Sequence, residues 1–166
     1  MVEGISLQTV RPENALSLGA VYCKAWKAAY AGLVPQDFLD ALTPERCAPL
    51  PAQIVATNNF VYTLDREIVG LVNFGSSRDK PDGRIGEIRS IYVLPDCWRL
   101  GIGGQLYLAA KDALQKQGYD RWILWTLADN LRARRFYEKQ GMTNTMRTRT
   151  IQLGGKDLLE VQYAGC

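Results

Sequence analysis

The chain has 166 residues and a mass of 18.6 kDa, enough for one domain with a hydrophobic core. Apolar residues make up 47% of it and charged residues 22%, which are ordinary values for a globular protein. The net charge of +3 fits a small anionic ligand but is too low for a nucleic-acid-binding surface. The sequence has neither a transmembrane run nor the basic and apolar regions of a signal peptide. We therefore expect a single cytoplasmic domain, residues 1–166, with no membrane or nucleic-acid partner.

The types and spacing of a few residues exclude several kinds of site. The sequence contains no histidine, which excludes a Ser-His or Cys-His nucleophile and argues against a bound metal. The cysteines are far apart and form no CxxC motif, so we expect free thiols rather than disulfides. They are Cys23, Cys47, Cys97 and Cys166.

The first half of the chain predicts one strand, three helices and a β-hairpin. An alanine-rich stretch with an apolar stripe begins at Pro12, a residue that suits a helix start. Thr43 is a suitable N-cap for the third helix. The predicted elements are a strand at 5–10, a helix at 12–33, short helices from 35 and 44, and strands at 60–64 and 68–74.

The second half predicts strands alternating with helices, followed by a final hairpin. A polar loop at 76–83 precedes the central strand, which Pro95 ends. Either Asp129 or Asn130 caps the second helix of this half. The predicted elements are a strand at 87–94, a helix that follows the glycine loop and ends at 118, a strand at 122–127, a helix to 140, and strands at 143–153 and 156–163. This order predicts an α/β fold with a mixed, mostly antiparallel sheet of about seven strands flanked by helices.

A glycine-rich segment after the central strand predicts a phosphate-binding loop. Gly101, Gly103 and Gly104 permit backbone angles that other residues avoid, and a helix N-terminus presents unpaired amides there. Such a helix end binds phosphate groups. Leu106 occupies the place of the third glycine in a Rossmann fingerprint, and no GxxxxGK[ST] occurs, so neither nucleotide-binding motif is present. An ordinary strand-to-helix turn is the structural alternative.

Two motifs resemble those of the bacterial GNAT superfamily of acyl-CoA-dependent N-acetyltransferases. The first, [Q/R]xxGx[G/A] after a strand ending in a YV.P-like sequence, falls on residues 98–103. Trp98 replaces the usual Gln or Arg, and Arg99 offers a charge one residue later. The second motif, an Asn, an Ala and then FYEK.GF, falls within residues 123–142, with Met142 in place of the usual Phe. The resemblance covers residues 60–142 and implies the GNAT fold.

The resemblance also implies how acetyl-CoA, the cosubstrate, is bound. Loop amides would hold the pyrophosphate, the central strand would pair with the pantetheine amides as if with an added strand, and Asn130 would hydrogen-bond the pantetheine arm. Tyr137 would lie beside the thioester sulfur. The implied cofactor-binding residues are Ile91, Tyr92, Val93, Arg99, Leu100, Gly101, Ile102, Gly103, Gly104, Asn130 and Tyr137.

Acetyl transfer to an amine needs a neutral amine, a stabilised oxyanion and an acid for the departing thiolate. A phenol with a pKa of about 10 is a suitable acid for a thiolate of pKa about 8.5, so Tyr137 is the predicted proton donor. A backbone N–H near Val93 would polarise the thioester carbonyl. The structural alternative for Tyr137 is packing against the sheet beside Phe136.

Glu87 is the predicted general base, acting through a water relay. It precedes the glycine loop at the spacing where histone-type members of the superfamily carry their catalytic glutamate. An unperturbed carboxylate is a poor base for an ammonium ion, so burial or a relay is needed. The alternative is an ion pair between Glu87 and Arg89, which a bulge in the strand would influence.

Other side chains near the motifs have open roles. Arginines at the start of the Tyr137 helix either contact cofactor phosphates or face solvent, and we expect at least two to face solvent. They are Arg132, Arg134 and Arg135. Three aromatic residues either line an acceptor cleft or belong to the core, namely Trp26, Tyr30 and Trp125. Cys97 adjoins the loop, but without histidine an acyl-cysteine route is not expected.

The sequence as a whole predicts direct transfer of acetyl from acetyl-CoA to a primary amine in a ternary complex. The alternatives are a nucleotide- or phosphate-ligand enzyme that uses the glycine loop and a CoA-binding regulatory module without turnover. Contacts to the acceptor would come from residues 32–38, the 76–83 loop and the last hairpin, none of which identifies the amine. The resemblance makes a homodimer possible.

Overall fold

A seven-stranded sheet forms the centre of the fold. The computed structural model describes residues 4–7, 12–49, 58–80 and 83–166. Neighbouring strands are antiparallel except β4 and β5, and their order is β1-β2-β3-β4-β5-β7-β6. The strands are β1 (Gly4–Leu7), β2 (Asn58–Leu64), β3 (Glu67–Ser76), β4 (Ile85–Val93), β5 (Arg121–Leu127), β6 (Thr143–Leu153) and β7 (Lys156–Gly165). The prediction of a mixed, mostly antiparallel sheet of about seven strands is confirmed.

Helices cover both faces of this sheet. Those in the described residues are α1 (Ala15–Tyr30), α2 (Gln36–Asp40), α3 (Pro44–Cys47), α4 (Ile102–Lys116) and α5 (Leu131–Lys139). Thr43 caps α3 as predicted, because its Oγ1 accepts a hydrogen bond from the Arg46 amide at 3.3 Å. The predicted helix at 12–33 is shorter, since residues 12–14 form a 3₁₀ turn and α1 ends at Tyr30.

Two predicted segments extend beyond the described residues. The first strand ends at Leu7 in the structure, and residues 8–10 of the predicted strand lie outside the described part. The predicted polar loop at 76–83 begins one residue late, because Ser76 belongs to β3, and residues 81 and 82 are not described. No helix within the described ranges has the length and apolar character needed to span a bilayer.

The core has a layer on each side of the sheet. The larger layer joins α4 to the inner faces of β2–β5 and centres on Phe74, Ile88, Leu106, Leu114 and Trp122. The smaller layer joins α1 to β2 and β3 through Leu18, Val21, Val61 and Leu71. Each helix therefore has an apolar stripe that the sheet buries. The two layers hold β4, the strand before the glycine loop, in the middle of the fold.

A β-bulge interrupts β4 at Arg89. Ser90 pairs with Asn73 and Ile88 with Phe74, so Arg89 has no partner of its own on β3. Beyond the bulge the alternation changes phase, and Ser90 now bonds across to Tyr22 of α1 at 3.2 Å. Bulges re-aim side chains in this way. Glu87, Arg89 and Ser90 thus lie close together along β4 without strict alternation.

Candidate active site

The site forms where β4 separates from β5. The two strands pair in parallel over residues 85–87 and 121–123 and then diverge. Within the described chain, residue 88 and residues 90–93 of β4 pair with β3 alone, so their other edge has no strand partner. The gap opens into a cavity of about 840 Å³. The structure therefore contains a cleft between these two strands.

Most of the predicted cofactor-binding residues line this cavity. They are Ile91, Tyr92, Val93, Arg99, Gly101, Ile102, Gly103, Gly104, Asn130 and Tyr137. Leu100 is 61% exposed and is not a lining residue. Glu87 is also absent from the lining, as it is 1% exposed. The cleft thus brings both motifs together but leaves the predicted base outside its surface.

The glycine loop has the geometry of an anion-binding turn. Arg99 and Gly101 have positive φ angles of 67° and 82°, and α4 begins at the next residue, Ile102. The first helical hydrogen bond of α4 runs from the Gln105 amide to the Gly101 carbonyl. The amides of residues 102–104 therefore lack backbone acceptors and point outward from the helix N-terminus, where a phosphate is favoured. Only glycine tolerates the angle at position 101 without strain.

Trp98 recruits a positive charge to the place where the motif usually has Gln or Arg. Its indole N–H donates to the Val93 carbonyl at 2.8 Å, which fixes the ring beside β4. The Arg132 guanidinium lies over this ring, with Cζ 3.5 Å from the centroid. Arg132 also lines the cavity. A charge from α5 thus reaches the loop through a cation–π contact.

Two of the three α5 arginines, Arg132 and Arg135, are exposed, as the sequence predicted. Arg134 donates to the Tyr163 hydroxyl at 3.2 Å and to the Ala128 carbonyl at 3.0 Å, so it anchors the helix to the sheet. Arg132 stacks on Trp98. Arg135 alone of the three is exposed without a recorded partner among the described residues. Sequence could not separate them because each role depends on contacts with distant strands.

Asn130 and Tyr137 are placed by α5. Asn130 is the N-cap, and its Oδ1 accepts from the Ala133 amide at 3.2 Å, which leaves the side-chain NH₂ group for another partner. Tyr137 packs edge-on against Phe136 with ring centroids 5.2 Å apart. It is nevertheless partly exposed and lines the cavity. The packing and catalytic roles considered for Tyr137 are therefore compatible.

Three phenols meet at the cavity from α1, β4 and α5. Burial raises the pKa of Tyr30, Tyr92 and Tyr137 above the usual value for a phenol. The nearby Tyr30 raises the pKa of Tyr137 further, because two phenolates would repel each other. All three hydroxyls therefore remain protonated at neutral pH and can donate a proton or a hydrogen bond.

Glu87 forms an ion pair with Arg78, not with Arg89 as the alternative interpretation proposed. Its Oε1 lies 2.7 Å from Nη2 of Arg78, and its Oε2 accepts from the Arg78 backbone amide at 2.8 Å. This bond raises the pKa of the Arg78 guanidinium. The error has a physical cause: the bulge and the 76–83 loop bring Arg78 over β4, which strand parity does not reveal.

The last hairpin supplies an ion pair that the sequence interpretation missed. Arg149 of β6 and Glu160 of β7 are opposite each other, and Nε donates to Oε2 at 2.6 Å. The Arg149 guanidinium covers the Trp125 ring, 4.3 Å from its centroid. Both charged residues and Trp125 line the cavity. A signal was available, because a two-residue turn at Gly154-Gly155 places residue 149 opposite residue 160.

The aromatic residues considered for an acceptor cleft do line the cavity. Trp26 and Tyr30 of α1 contact each other with centroids 4.8 Å apart, and both belong to the lining together with Trp125. Residues 32–38 have a different place from that predicted. Val34 and Phe38 of this region pack with Leu158 of the last hairpin rather than line the cavity. This segment supports the hairpin that carries Arg149 and Glu160.

Comparison with known proteins identifies the family. A family model described as the acetyltransferase (GNAT) family matches residues 24–142. The chain belongs to this family. The motif-based prediction is confirmed, and this GNAT protein is an acyl-CoA-dependent N-acetyltransferase.

Relatives of this GNAT protein include curated and structurally determined proteins. A probable N-acetyltransferase of Mycobacterium tuberculosis is 27% identical over 165 residues, covering 96% of this chain and 92% of the relative. The PaiA N-acetyltransferase from Thermoplasma acidophilum, solved with coenzyme A, has a TM-score of 0.71 at 19% identity and covers 96% of this chain and 98% of its own. The structure of yncA from Salmonella typhimurium with acetyl-CoA has a TM-score of 0.73 at 18% identity, covering 99% and 94%. These structures share the fold.

Proposed function

We propose that this GNAT protein transfers the acetyl group of acetyl-CoA directly to a primary amine while both substrates are bound. One observation carries the proposal: the unpaired edge of β4 and the free amides of residues 102–104 lie along the same cavity. An extended ligand with amides at one end and phosphates at the other matches this arrangement. The PaiA structure is a complex with coenzyme A and the yncA structure contains acetyl-CoA, which supports the same choice here.

We propose that the chain binds each part of the cosubstrate with a different element. Residues 91–93 offer backbone groups to the pantetheine amides, and the NH₂ group of Asn130 remains available for a pantetheine carbonyl. The loop amides and Arg99 receive the pyrophosphate, and Arg132 adds a positive charge beside them. Acetyl-CoA supplies the activated acetyl thioester.

Tyr137 is the proposed acid of the reaction. The C–N bond forms as the C–S bond breaks, and the departing sulfur receives the phenolic proton of Tyr137. The raised pKa keeps that proton on the oxygen until the thiolate develops. The backbone N–H near Val93 is the proposed donor to the thioester oxygen. The amine loses one proton to restore the charge balance.

The amine proton has a proposed route through water to Oε1 of Glu160, because in the described residues Arg149 bonds only the other oxygen, Oε2, of this carboxylate. Glu160 is a carboxylate of the cavity lining, and its side chain is 13% exposed. For Glu87, the contacts favour the ion-pair role over the general-base role. Its side chain is 1% exposed, and both of its oxygens accept hydrogen bonds from Arg78. A carboxylate so bound holds the 76–83 loop on β4.

Calorimetry with acetyl-CoA tests the proposed function. The wild-type protein is expected to bind acetyl-CoA, whereas ATP and NAD are not expected to compete. Arg132→Gln should weaken this binding about tenfold, because one charge-assisted contact to the cosubstrate is lost. Arg135→Gln is the matched control, as this arginine lies on the same helix outside the cavity lining. No binding of acetyl-CoA or coenzyme A would overturn the function, and binding without CoA release from any amine would support a regulatory module.

The pH profile of turnover should lack a falling limb below about pH 10. The rate is expected to rise with pH as the acceptor ammonium, whose pKa is near 10, becomes neutral. Burial disfavours the Tyr137 phenolate and raises its pKa, so the acid form persists over this whole range. The measurement is kcat/KM against pH with an amine acceptor. A decline between pH 8 and 9 would show that a more acidic group than Tyr137 donates the proton.

A further inference from the structure

Arg89 lines the cavity with its guanidinium mostly unsatisfied. Of its five N–H donors, one forms a hydrogen bond within the described chain, from Nη2 to the Ser76 carbonyl at 3.0 Å. Its Nε is buried and has no hydrogen-bond partner. No carboxylate of the described residues forms an ion pair with Arg89. The neighbouring carboxylate, Glu87, pairs with Arg78 instead. A buried donor without an acceptor is costly and needs an explanation.

Two features of the backbone hold Arg89 in this place. The β4 bulge leaves Arg89 without a partner on β3, which frees its side chain from strict alternation. Gly75 then leaves room for the guanidinium, because a Cβ there would lie 3.2 Å from Nη2 and 3.5 Å from Cζ. Burial lowers the pKa of this guanidinium, but an arginine remains charged in a protein. The fold thus exposes a fixed positive charge to the cavity.

The other charges around this part of the cavity are already paired. Arg78 is bound by Glu87, and Arg149 contacts both Glu160 and Asp79, at 2.6 and 3.6 Å. Of Arg78, Arg89 and Arg149, Arg89 is therefore the one that has no carboxylate partner among the described residues. A ligand that carried a second positive charge here would be repelled by it. A ligand with a negative group would place an acceptor beside the charged guanidinium.

We propose that the acceptor amine also carries an anionic group of carboxylate or phosphonate type, and that Arg89 binds this group. The inference rests on the proposed function, because it names the class of amine that enters the same cavity. Trp26 and Trp125 line the cavity with Arg89 and offer apolar surface to the rest of such a molecule. Arg89 is thus a specificity-determining residue rather than a participant in bond making.

Matched acceptors test this inference. The common L-amino acids, their amides and simple aminoalkylphosphonates are compared as acceptors by CoA release. The wild-type protein should use acids with a kcat/KM about 10- to 100-fold higher than that of the matching amides. Arg89→Gln should remove most of this preference, with the loss falling on the acids and not on the amides. Gly75→Ala, which moves the guanidinium without removing its charge, should reduce the preference in the same direction.

Controls separate this inference from the proposed function. Arg121→Gln changes an exposed arginine at the far end of β5 and should preserve the preference. Acetyl-CoA affinity and thermal unfolding are measured for each variant. Failure of the wild type to bind acetyl-CoA would overturn the function itself. With acetyl-CoA bound, equal use of acids and amides, turnover confined to amines without an acid, or no turnover of any anionic amine would overturn the inference alone.

Discussion

Replacing Tyr137 with phenylalanine is expected to lower kcat about 100- to 10,000-fold while acetyl-CoA affinity stays close to that of the wild type. The ring keeps its contact with Phe136, so the packing of α5 is preserved. The lost oxygen is the proposed donor to the departing thiolate. Steady-state kinetics and calorimetry on the same preparation measure the two quantities separately.

The matched control for this variant is Tyr119→Phe. Tyr119 is a partly buried tyrosine that packs against the larger core layer and does not line the cavity. The Tyr119→Phe variant also loses one phenolic hydroxyl group, but it should turn over at the wild-type rate. A Tyr137→Phe variant that turns over normally would assign the proton donor elsewhere, with Tyr30 as the neighbouring phenol to test. A variant that unfolds would show that the hydroxyl is structural.

Replacing Arg78 with alanine is expected to lower the free energy of unfolding by about 3 kcal/mol. The change removes the guanidinium from a carboxylate that is 1% exposed, and a buried charge without its partner is strongly destabilising. The lower part of the usual range applies because the Arg78 side chain is itself 57% exposed. The melting temperature should fall by roughly 10 °C, as calorimetry or circular dichroism would measure.

A double variant makes this prediction specific. Arg78→Ala with Glu87→Leu removes the stranded carboxylate as well and should recover most of the lost stability. Arg84→Ala, an exposed arginine near the same loop, should have little effect. A melting temperature for Arg78→Ala within the error of the wild type would show that water replaces the guanidinium. Full loss of turnover in a folded double variant would return Glu87 to the role of base.

Local sequence patterns sufficed for the elements and for the position of the cleft. Glycines, prolines and apolar periodicity act over a few residues, so they predicted a turn before α4 and gave Asn130 as one of two candidate caps of α5. The motifs predicted residues that mostly line the cavity. The family resemblance added the roles of these residues, which local patterns do not contain.

Contacts between distant segments were the part that sequence reasoning could not supply. The ion pair of Glu87 with Arg78 depends on a β-bulge that no residue type in β4 predicts. Trp98 looked like a loss of the usual polar residue, yet Arg132 from another helix restores a charge there. By contrast, the two-residue turn at Gly154-Gly155 does fix the register that places Arg149 opposite Glu160. Register and bulges therefore decide which charges meet.

The short parallel pairing between β4 and β5 divides the sheet into a four-stranded and a three-stranded half. A molecule bound in the gap contacts both halves of the sheet and stabilises their association. Such binding raises the free energy of unfolding by mass action, by about 2.7 kcal/mol when the free ligand is at 100 times its Kd. Abundant acetyl-CoA would protect this enzyme from heat and proteolysis, and starvation for it would leave the two halves less firmly joined.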